Sequence, residues 1–166
     1  DLSVGNDNLI IQAAQLLKSK VDNVNLGANI YLKKNIPIGA GLAGGSSDGA
    51  ATLLGLNKLW GLGFSIYELE EISSELGSDI PFCLQGGTQI CFGRGERLEP
   101  YNYIRDSMAI LLVKNPRVSV STPWAYAHYK EIKSKDYLTS EIEFEKRRNH
   151  LRSQSWLNPL NIKNPP

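Results

Sequence analysis

A run of small residues from Pro37 to Ser47 limits the fold of this chain more than any other feature of its sequence. It reads Pro-Ile-Gly-Ala-Gly-Leu-Ala-Gly-Gly-Ser-Ser, and five of the chain's 15 glycines fall between Gly39 and Gly49. Because glycine lets the backbone approach a ligand closely, successive N–H groups of such a loop can form an anion-binding nest. A helix beginning at Ser46 would aim its positive dipole end at the same place. The loop therefore predicts a di- or triphosphate site, with serine hydroxyls as further ligands for phosphate or Mg²⁺.

The same glycines allow other interpretations, the simplest being a turn that only permits tight packing of a helix on a strand. Gly39-x-Gly41-x-x-Gly44 matches the dinucleotide fingerprint, but polar residues precede it where an apolar strand is required. The Walker motif is excluded because no Gly-Lys-Ser/Thr follows the glycines. Gly45-Ser46-Ser47-Asp48-Gly49 has the spacing of a hydrolase nucleophile elbow, with His128 and His150 later in the chain. A serine hydrolase using Ser47 and a non-catalytic nucleotide-binding module therefore stay as alternatives.

The composition describes a folded chain without a surplus of either charge. Of its 166 residues, 42% are hydrophobic and 21% are charged, which is ordinary for a globular domain. The 18 Lys and Arg against 17 Asp and Glu give a formal net charge of +1. Such a balance gives no electrostatic footprint for nucleic acid or an anionic membrane surface. No apolar run approaches the roughly 20 residues of a membrane span. We expect a cytoplasmic protein with neither partner.

The two cysteines, Cys83 and Cys91, carry little functional information. Two cysteines cannot make a disulfide framework, and no histidine lies near enough in the sequence to complete a zinc site. We expect both to be buried, reduced thiols, since free cysteine behaves as a small apolar residue. No protein metal site is predicted.

Apolar spacing predicts a mixture of helices and strands, without the strict alternation of a doubly wound parallel sheet. Three segments are predicted as strands, namely Ala28 to Lys34, where Ile30 and Leu32 would face one way, Thr88 to Phe92, and Met108 to Val113. Helices are predicted after a cap at Asn6 or Asp7, from Ser46 to Gly61, and after the Ser65 and Glu68 capping box as far as Gly77.

The last third of the chain is strongly charged. A short helix is predicted around Trp124, and residues 130–152 carry seven basic and five acidic side chains, as in a solvated helix-and-loop region. Residues 158–166 contain three prolines and are expected to be extended.

Together with three further motifs, the glycine-rich loop resembles that of the GHMP small-molecule kinases, a family that includes galactokinase and the homoserine, mevalonate and phosphomevalonate kinases. The matching segments are Asp7-Asn8-Leu9-Ile10, Pro37 to Asp48, Gly77-Ser78-Asp79-Ile80-Pro81-Phe82 and Gly93-Arg94-Gly95-Glu96. The resemblance runs from about Asn6 to Tyr126 and weakens beyond Lys130. It is strongest to the branch of the family that phosphorylates the 2-hydroxyl of 4-diphosphocytidyl-2-C-methyl-D-erythritol, in the non-mevalonate isoprenoid pathway of bacteria and plastids.

This resemblance implies an α+β fold: the first lobe of a GHMP kinase, of the ribosomal protein S5 domain 2-like type, running into the start of the second lobe. Residues 1–115 would form the ATP-binding lobe without its first strands, and residues 116–166 a linker and the start of the C-terminal lobe. No counterpart of the family's first strand, with its catalytic lysine, precedes Asp1. We therefore expect the central portion of a longer enzyme, with little or no kinase activity alone.

The resemblance also implies roles for individual residues, with ATP and Mg²⁺ as cofactors. The implied ATP-binding residues are Asn8, Leu9, Lys34, Pro37, Ile38, Gly39, Ala40, Gly41, Leu42, Ala43, Gly44, Gly45, Ser46 and Ser47. Asp79 would be the catalytic base, since phosphorylation of an alcohol needs a carboxylate that accepts the hydroxyl proton; its alternative role is a helix cap. Tyr126 would stack on the cytosine of the substrate, or else be a core aromatic beside Trp124. Another GHMP kinase with a different alcohol substrate is a close alternative.

Overall fold

A computed structural model describes residues 5–22, 25–101, 109–113, 115, 117–118 and 120–153. The chain divides into two units, residues 1–103 and 104–166. The described part of the first contains helices α1 (Leu9–Ser19), α2 (Gly44–Leu59), α3 (Ile66–Ser73) and α4 (Ile80–Gln85), and strands β1 (Gln89–Phe92) and β2 (Arg97–Pro100). The described part of the second contains α5 (Thr122–Ile132), a 3₁₀ turn (Ser134–Asp136) and α6 (Glu141–Ser153). The predicted mixture of helix and strand is confirmed, whereas the predicted boundary at residue 115 stays a prediction.

The N-cap of helix α1 lies one residue after Asp7 and two after Asn6, the two predicted caps. Asn8 is the N-cap residue, and its side-chain oxygen accepts a hydrogen bond from the backbone N–H of Ile10 at 2.9 Å. The backbone carbonyl of Asn6 instead accepts a hydrogen bond from the side chain of Gln12 at 2.9 Å. The cap therefore lies at Asn8, because that side chain is the one placed to satisfy a free amide of the first turn.

The core of the first unit forms around α2. Leu53 of this helix is fully buried, and Leu17 of α1 is buried beside it in the same cluster. The cluster also takes in Leu69 of α3 and Ile80 of α4. Burial of side chains this large stabilises a domain by about 1.5–3 kcal/mol each. The start of α2, where the glycine-rich loop ends, is thus fixed by the core of the unit.

Helix α3 has the predicted capping box. The carboxylate of Glu68 accepts hydrogen bonds from the Ser65 hydroxyl and from the Ser65 backbone N–H, each at 2.7 Å, and the Glu68 N–H donates to the Ser65 hydroxyl at 3.3 Å. The hydroxyl contact and then the backbone contact hold the pKa of Glu68 below its ordinary value. The charged carboxylate is therefore the form that the fold favours.

This capping box predicts a specific dependence of stability on pH. A carboxylate whose pKa is lowered by folding contributes stability that is complete above its unfolded pKa of about 4.3 and is lost as the pH falls through the folded value. Wild type should therefore exceed Glu68→Gln in free energy of unfolding at pH 7, and the difference should be smaller at pH 3, below the unfolded pKa. Urea denaturation at both pH values measures it. An equal difference at the two pH values would contradict the prediction.

Of the three predicted strands, the structure confirms one. Thr88 to Phe92 is confirmed as β1, which pairs antiparallel with β2 so that Gln89 lies opposite Pro100. The prediction of a strand over 28–34 is wrong, as these residues adopt no regular structure and Tyr31 is 93% exposed. Residues 109–113 are likewise not a strand, and Met108 lies outside the described residues. A strand needs a hydrogen-bonded neighbour, and no described segment pairs with either run.

The cysteines are less buried than predicted. Cys83 on α4 is half-buried, but Cys91 on β1 is exposed. Burial, and secondly the negative charge of Asp79, raise the pKa of both thiols. The expectation of two buried thiols is therefore wrong for Cys91.

The second unit contains the charged region that the sequence predicts. Helix α5 is longer than the short helix expected around Trp124, whose ring stacks on that of His128 with centroids 5.1 Å apart. On α6, Arg148 forms ion pairs with Glu141 and Glu145. The extended tail predicted for 158–166 lies outside the described residues. Among the helices described, none combines the length and the apolar character that crossing a membrane requires.

Candidate functional site

The glycine-rich loop winds through left-handed backbone before α2 begins. Gly39 and Gly41 have φ angles of 66° and 70°, and Ala43, the N-cap residue of α2, has φ 50°. The helix starts at Gly44, two residues before the predicted Ser46. A left-handed conformation in a non-glycine residue costs of order 1 kcal/mol and is concentrated at functional sites. With free amides at its end, the start of α2 has the geometry of an anion site.

A cavity of about 510 Å³ lies over this helix start. Its lining residues are Asp7, Asn8, Leu9, Lys34, Asp48 and all of residues 37–45. The structure thus brings together most of the predicted ATP-binding residues, although Ser46 and Ser47 lie in the first turn of α2 and do not line the cavity. The volume is typical of a small-molecule site.

Asn8 and Leu9 combine structural positions with places in the cavity wall. The Asn8 side chain caps α1, as described above, and Leu9 begins that helix. A Cβ atom added to Gly45 would lie 3.3 Å from Leu9 Cδ1, so the leucine packs directly on the loop's last glycines. Capping and packing hold the two residues at the edge of the cavity.

Lys34 and Asp48 form an ion pair within the cavity lining, between Nζ and Oδ2. Their side chains are only 18% and 22% exposed. The ammonium lies against Gly44, since a Cβ atom there would be 3.0 Å from Lys34 Nζ and 2.8 Å from Ile36 Cγ2. Sequence reasoning did not single out Asp48. The signal available in the sequence was its spacing, because a residue four positions after Gly44 lies on the same side of α2.

Ser47 contributes a hydroxyl to the helix rather than to a nucleophile elbow. Its Oγ donates to the carbonyl of Gly44 at 3.0 Å, and its N–H donates to the carbonyl of Ala43 at 2.8 Å. No strand precedes it within residues 25–43. His128 and His150, the histidines that a hydrolase would need, lie on α5 and α6 in the other unit.

Asp79 stands immediately before α4 with its carboxylate exposed. It occupies the N-cap position, yet its side chain makes no capping hydrogen bond. The pKa values of Cys83 and Cys91 respond to its negative charge, which places that charge near both α4 and β1. The alternative role of Asp79 as a side-chain cap is therefore not seen.

Two contacts support the segment that carries Asp79. Ile80 is 1% exposed, and its Cδ1 lies 3.5 Å from the Cβ position of Gly49 on α2. On the other side, the β1–β2 turn approaches Ser78, since the Cβ position of Gly95 lies 3.6 Å from Ser78 Cβ. The neighbours of Asp79 thus pack on helix α2, which begins at the glycine-rich loop, and on the β1–β2 hairpin.

The hairpin turn is the fourth motif of the resemblance, Gly93-Arg94-Gly95-Glu96. The Glu96 carboxylate accepts a hydrogen bond from the Arg94 backbone N–H at 2.7 Å. Its own backbone amide, the Arg94 amide and the charges of Arg94 and Arg97 hold the pKa of Glu96 below its ordinary value, despite partial burial. Arg94 also donates to the carbonyl of Ser74 at 3.4 Å. The motif shapes a turn that is anchored to the end of α3.

Tyr126 lies on α5 in the second unit and is 74% exposed. The alternative of a core aromatic beside Trp124 is wrong, because Trp124 stacks on His128 and Tyr126 has an open ring face. Within the described residues, no three His, Cys, Asp or Glu side chains cluster as metal ligands would.

Comparison with known proteins gives this geometry a context. Residues 8–87 match the family model of the GHMP kinases N terminal domain. The chain is 65% identical over 166 residues to the 4-diphosphocytidyl-2-C-methyl-D-erythritol kinase of a strain of Prochlorococcus marinus, covering 100% of this chain and 52% of that protein. It is 59% identical over 165 residues to the kinase of the same name from a strain of Synechococcus sp., covering 99% of this chain and 54% of the relative. The chain spans about half the length of the relatives it matches.

A solved structure agrees with these relatives. The crystal structure of a 4-(cytidine 5'-diphospho)-2C-methyl-D-erythritol kinase superposes with a TM-score of 0.58 at 34% sequence identity, over 76% of this chain and 45% of that one. The predicted resemblance and its fold are confirmed. The roles of individual residues stay predictions.

Proposed function

This chain carries the N-terminal domain of the GHMP kinases, and from that premise we propose that it forms the ATP-binding half of a kinase acting on 4-diphosphocytidyl-2-C-methyl-D-erythritol. The γ-phosphoryl group of ATP would pass to the 2-hydroxyl of the methylerythritol moiety. The names of the relatives, at up to 65% identity over the whole chain, favour this substrate over those of other GHMP kinases.

The observation that carries ATP binding is the cavity over the start of α2. Its left-handed loop and free helix amides suit a polyphosphate, and the Lys34 ammonium lies against Gly44 at the same point. Asn8 and Leu9 form another part of the wall, where the adenine would lie. Because backbone amides supply most of the attraction, the site needs no surplus of basic side chains.

Asp79 would act as the general base. As the substrate oxygen forms its bond to the γ-phosphorus, the bond from phosphorus to the β-bridging oxygen breaks, ADP leaves, and the hydroxyl proton passes to the carboxylate. An exposed carboxylate not engaged in capping α4 suits this role. Tyr126, with its ring face open, would stack on the cytosine.

Mg²⁺ would enter with the nucleotide. Mg²⁺ usually keeps several waters and takes one or two protein oxygens beside substrate phosphates, so the lack of a three-residue cluster among the described residues suits it. Ser46 and Ser47 lie in the first turn of α2 outside the cavity lining, and the Ser47 hydroxyl donates to Gly44, so the nucleotide phosphates and water would supply most of the oxygens around Mg²⁺. When bound, the ion neutralises phosphate charge. A cytoplasmic location stays part of the proposal.

The test is a chimera in which this chain replaces the matching half of the 65% identical Prochlorococcus relative. We expect ATP-dependent phosphorylation of 4-diphosphocytidyl-2-C-methyl-D-erythritol, followed by ³¹P NMR and coupled ADP release. Turnover of mevalonate or homoserine in its place would assign another GHMP kinase. Absence of any turnover by a folded chimera would contradict the proposal.

Ser47→Ala separates the kinase from the serine hydrolase. Under the kinase proposal it should weaken ATP binding by less than about tenfold, since a neutral hydrogen bond contributes about 0.5–1.5 kcal/mol. A hydrolase would lose all activity on p-nitrophenyl acetate. Ser74→Ala is the matched control, because its hydroxyl makes the same bond to a helix carbonyl, at 2.7 Å to Glu71. Complete loss of ester hydrolysis with Ser47→Ala alone would favour the hydrolase.

A further inference from the structure

An acidic side chain in the lining of an anion site calls for an explanation. The lining contains two such side chains, Asp7 and Asp48, and Asp48 is the one that forms an ion pair with Lys34. We propose that Asp48 is a positioning residue, which holds the Lys34 ammonium at the start of α2 where the transferred phosphoryl group is stabilised. This inference rests on the proposed kinase function and deepens it.

The Lys34 ammonium lies at the start of α2. Lys34 precedes the glycine-rich loop, in a segment without regular structure, so the backbone there does not fix its side chain. Nevertheless its Nζ reaches to 3.0 Å from the Cβ position of Gly44, the first residue of α2. The absence of a side chain at Gly44 is what leaves room for the ammonium.

The ion pair with Asp48 keeps the Lys34 ammonium in this position. Asp48 lies one helical turn after Gly44 on α2, a helix that the fully buried Leu53 anchors in the core of the unit. Its backbone carbonyl accepts a hydrogen bond from the Thr52 hydroxyl at 2.8 Å, so the residue is held in regular helix. Lysine has more rotamer freedom to lose than most side chains. The ion pair fixes that freedom before a nucleotide arrives.

Loss of the Asp48 carboxylate should affect kcat and KM for ATP differently. In the bound ground state, the negative charge of Asp48 repels the phosphates while its fixing of Lys34 favours them, so the two effects oppose each other. In the transition state, charge spreads over the phosphoryl oxygens, and a donor already in place stabilises it most. We therefore expect kcat to depend on Asp48 more strongly than KM for ATP does.

The test is a double-mutant cycle in the chimera, with Asp48→Asn, Lys34→Met and the double variant. Asp48→Asn should lower kcat about tenfold and change KM for ATP by less than about threefold. In the Lys34→Met background the same substitution should change kcat by less than about twofold, because Asp48 acts on the reaction through the Lys34 ammonium, which that variant lacks. Equal losses in the two backgrounds would overturn the positioning role.

Two further measurements exclude other roles. If Asp48 were instead a Mg²⁺ ligand, Asp48→Asn would raise the Mg²⁺ concentration for half-maximal rate in both backgrounds, and this result would also overturn the proposal. Asp48→Glu, which keeps the charge, should recover most of the lost kcat; recovery no better than with Asn counts against it. Should wild type itself fail to bind a fluorescent ATP analogue, the kinase proposal fails, whereas an additive cycle in an active enzyme rejects Asp48 alone.

Discussion

Asp79→Asn in the chimera is expected to reduce kcat by about 10²–10⁴-fold, the range that general acid–base catalysis contributes. Asparagine has nearly the same shape but cannot accept the proton of the substrate hydroxyl. Because the Asp79 side chain makes no capping bond to α4, the fold should lose little stability. ATP affinity should stay within about twofold, since no group of the glycine-rich loop is altered. Steady-state kinetics and titration with an ATP analogue measure the two effects separately.

Glu71→Gln is the matched control for this variant. It also neutralises an exposed carboxylate in the first unit, on α3 and outside the cavity lining. Its kcat should equal that of wild type. If Asp79→Asn keeps more than about a tenth of the wild-type kcat, Asp79 is not the base.

Gly44→Ala is expected to weaken nucleotide binding by about 5- to 150-fold, corresponding to the 1–3 kcal/mol that overpacking costs. Its new Cβ atom would lie 2.8 Å from Ile36 Cγ2 and 3.0 Å from Lys34 Nζ. Either the loop or the ammonium must move, and both line the proposed phosphate site. Gly44 has no left-handed φ angle, so the expected loss comes from the contact and not from backbone strain. Titration of the 166-residue chain with ATP measures it.

Gly55→Ala makes the comparison within the same helix. A Cβ atom at Gly55 meets nothing within 4 Å. The change should leave ATP affinity unaltered and raise stability by up to about 1 kcal/mol, because alanine is the better helix former. Equal affinities of the Gly44→Ala and wild-type chains would show that the site does not depend on this close approach.

Local signals in the sequence were sufficient for much of the fold. The capping box of Ser65 and Glu68 and the glycines before α2 specify their structures within a few residues, so they could be predicted from spacing alone. The segment 28–34 could not, because a strand depends on a neighbour that may lie far away in sequence, and Tyr31 has none among the described segments. Alternation of side chains is necessary for a half-buried strand but does not supply its partner.

The candidate site divides in a similar way. The loop was predicted from its glycines and serines alone, whereas Asp79 was predicted from the family motif, because spacing alone left it as a cap. Asp48 was missed because its relation to Lys34 spans 14 residues and depends on how the loop folds back on α2. The exposure of Cys91 depends on which face of the β1–β2 hairpin is covered. The Lys34–Asp48 pair and the exposure of Cys91 depend on tertiary structure and cannot be predicted from a short segment of sequence.

The contact of Gly49 with Ile80 has a consequence for how such an enzyme could change its acceptor. Helix α2 would hold the phosphates of ATP at its N-terminus, and about a turn and a half further along it packs against Ile80, next to the proposed base Asp79. A small displacement of α2 would therefore move the proposed phosphate site and the segment of Asp79 together and keep them aligned. The residues that would select the alcohol substrate can then differ between relatives, while α2 would keep the γ-phosphoryl group and Asp79 aligned.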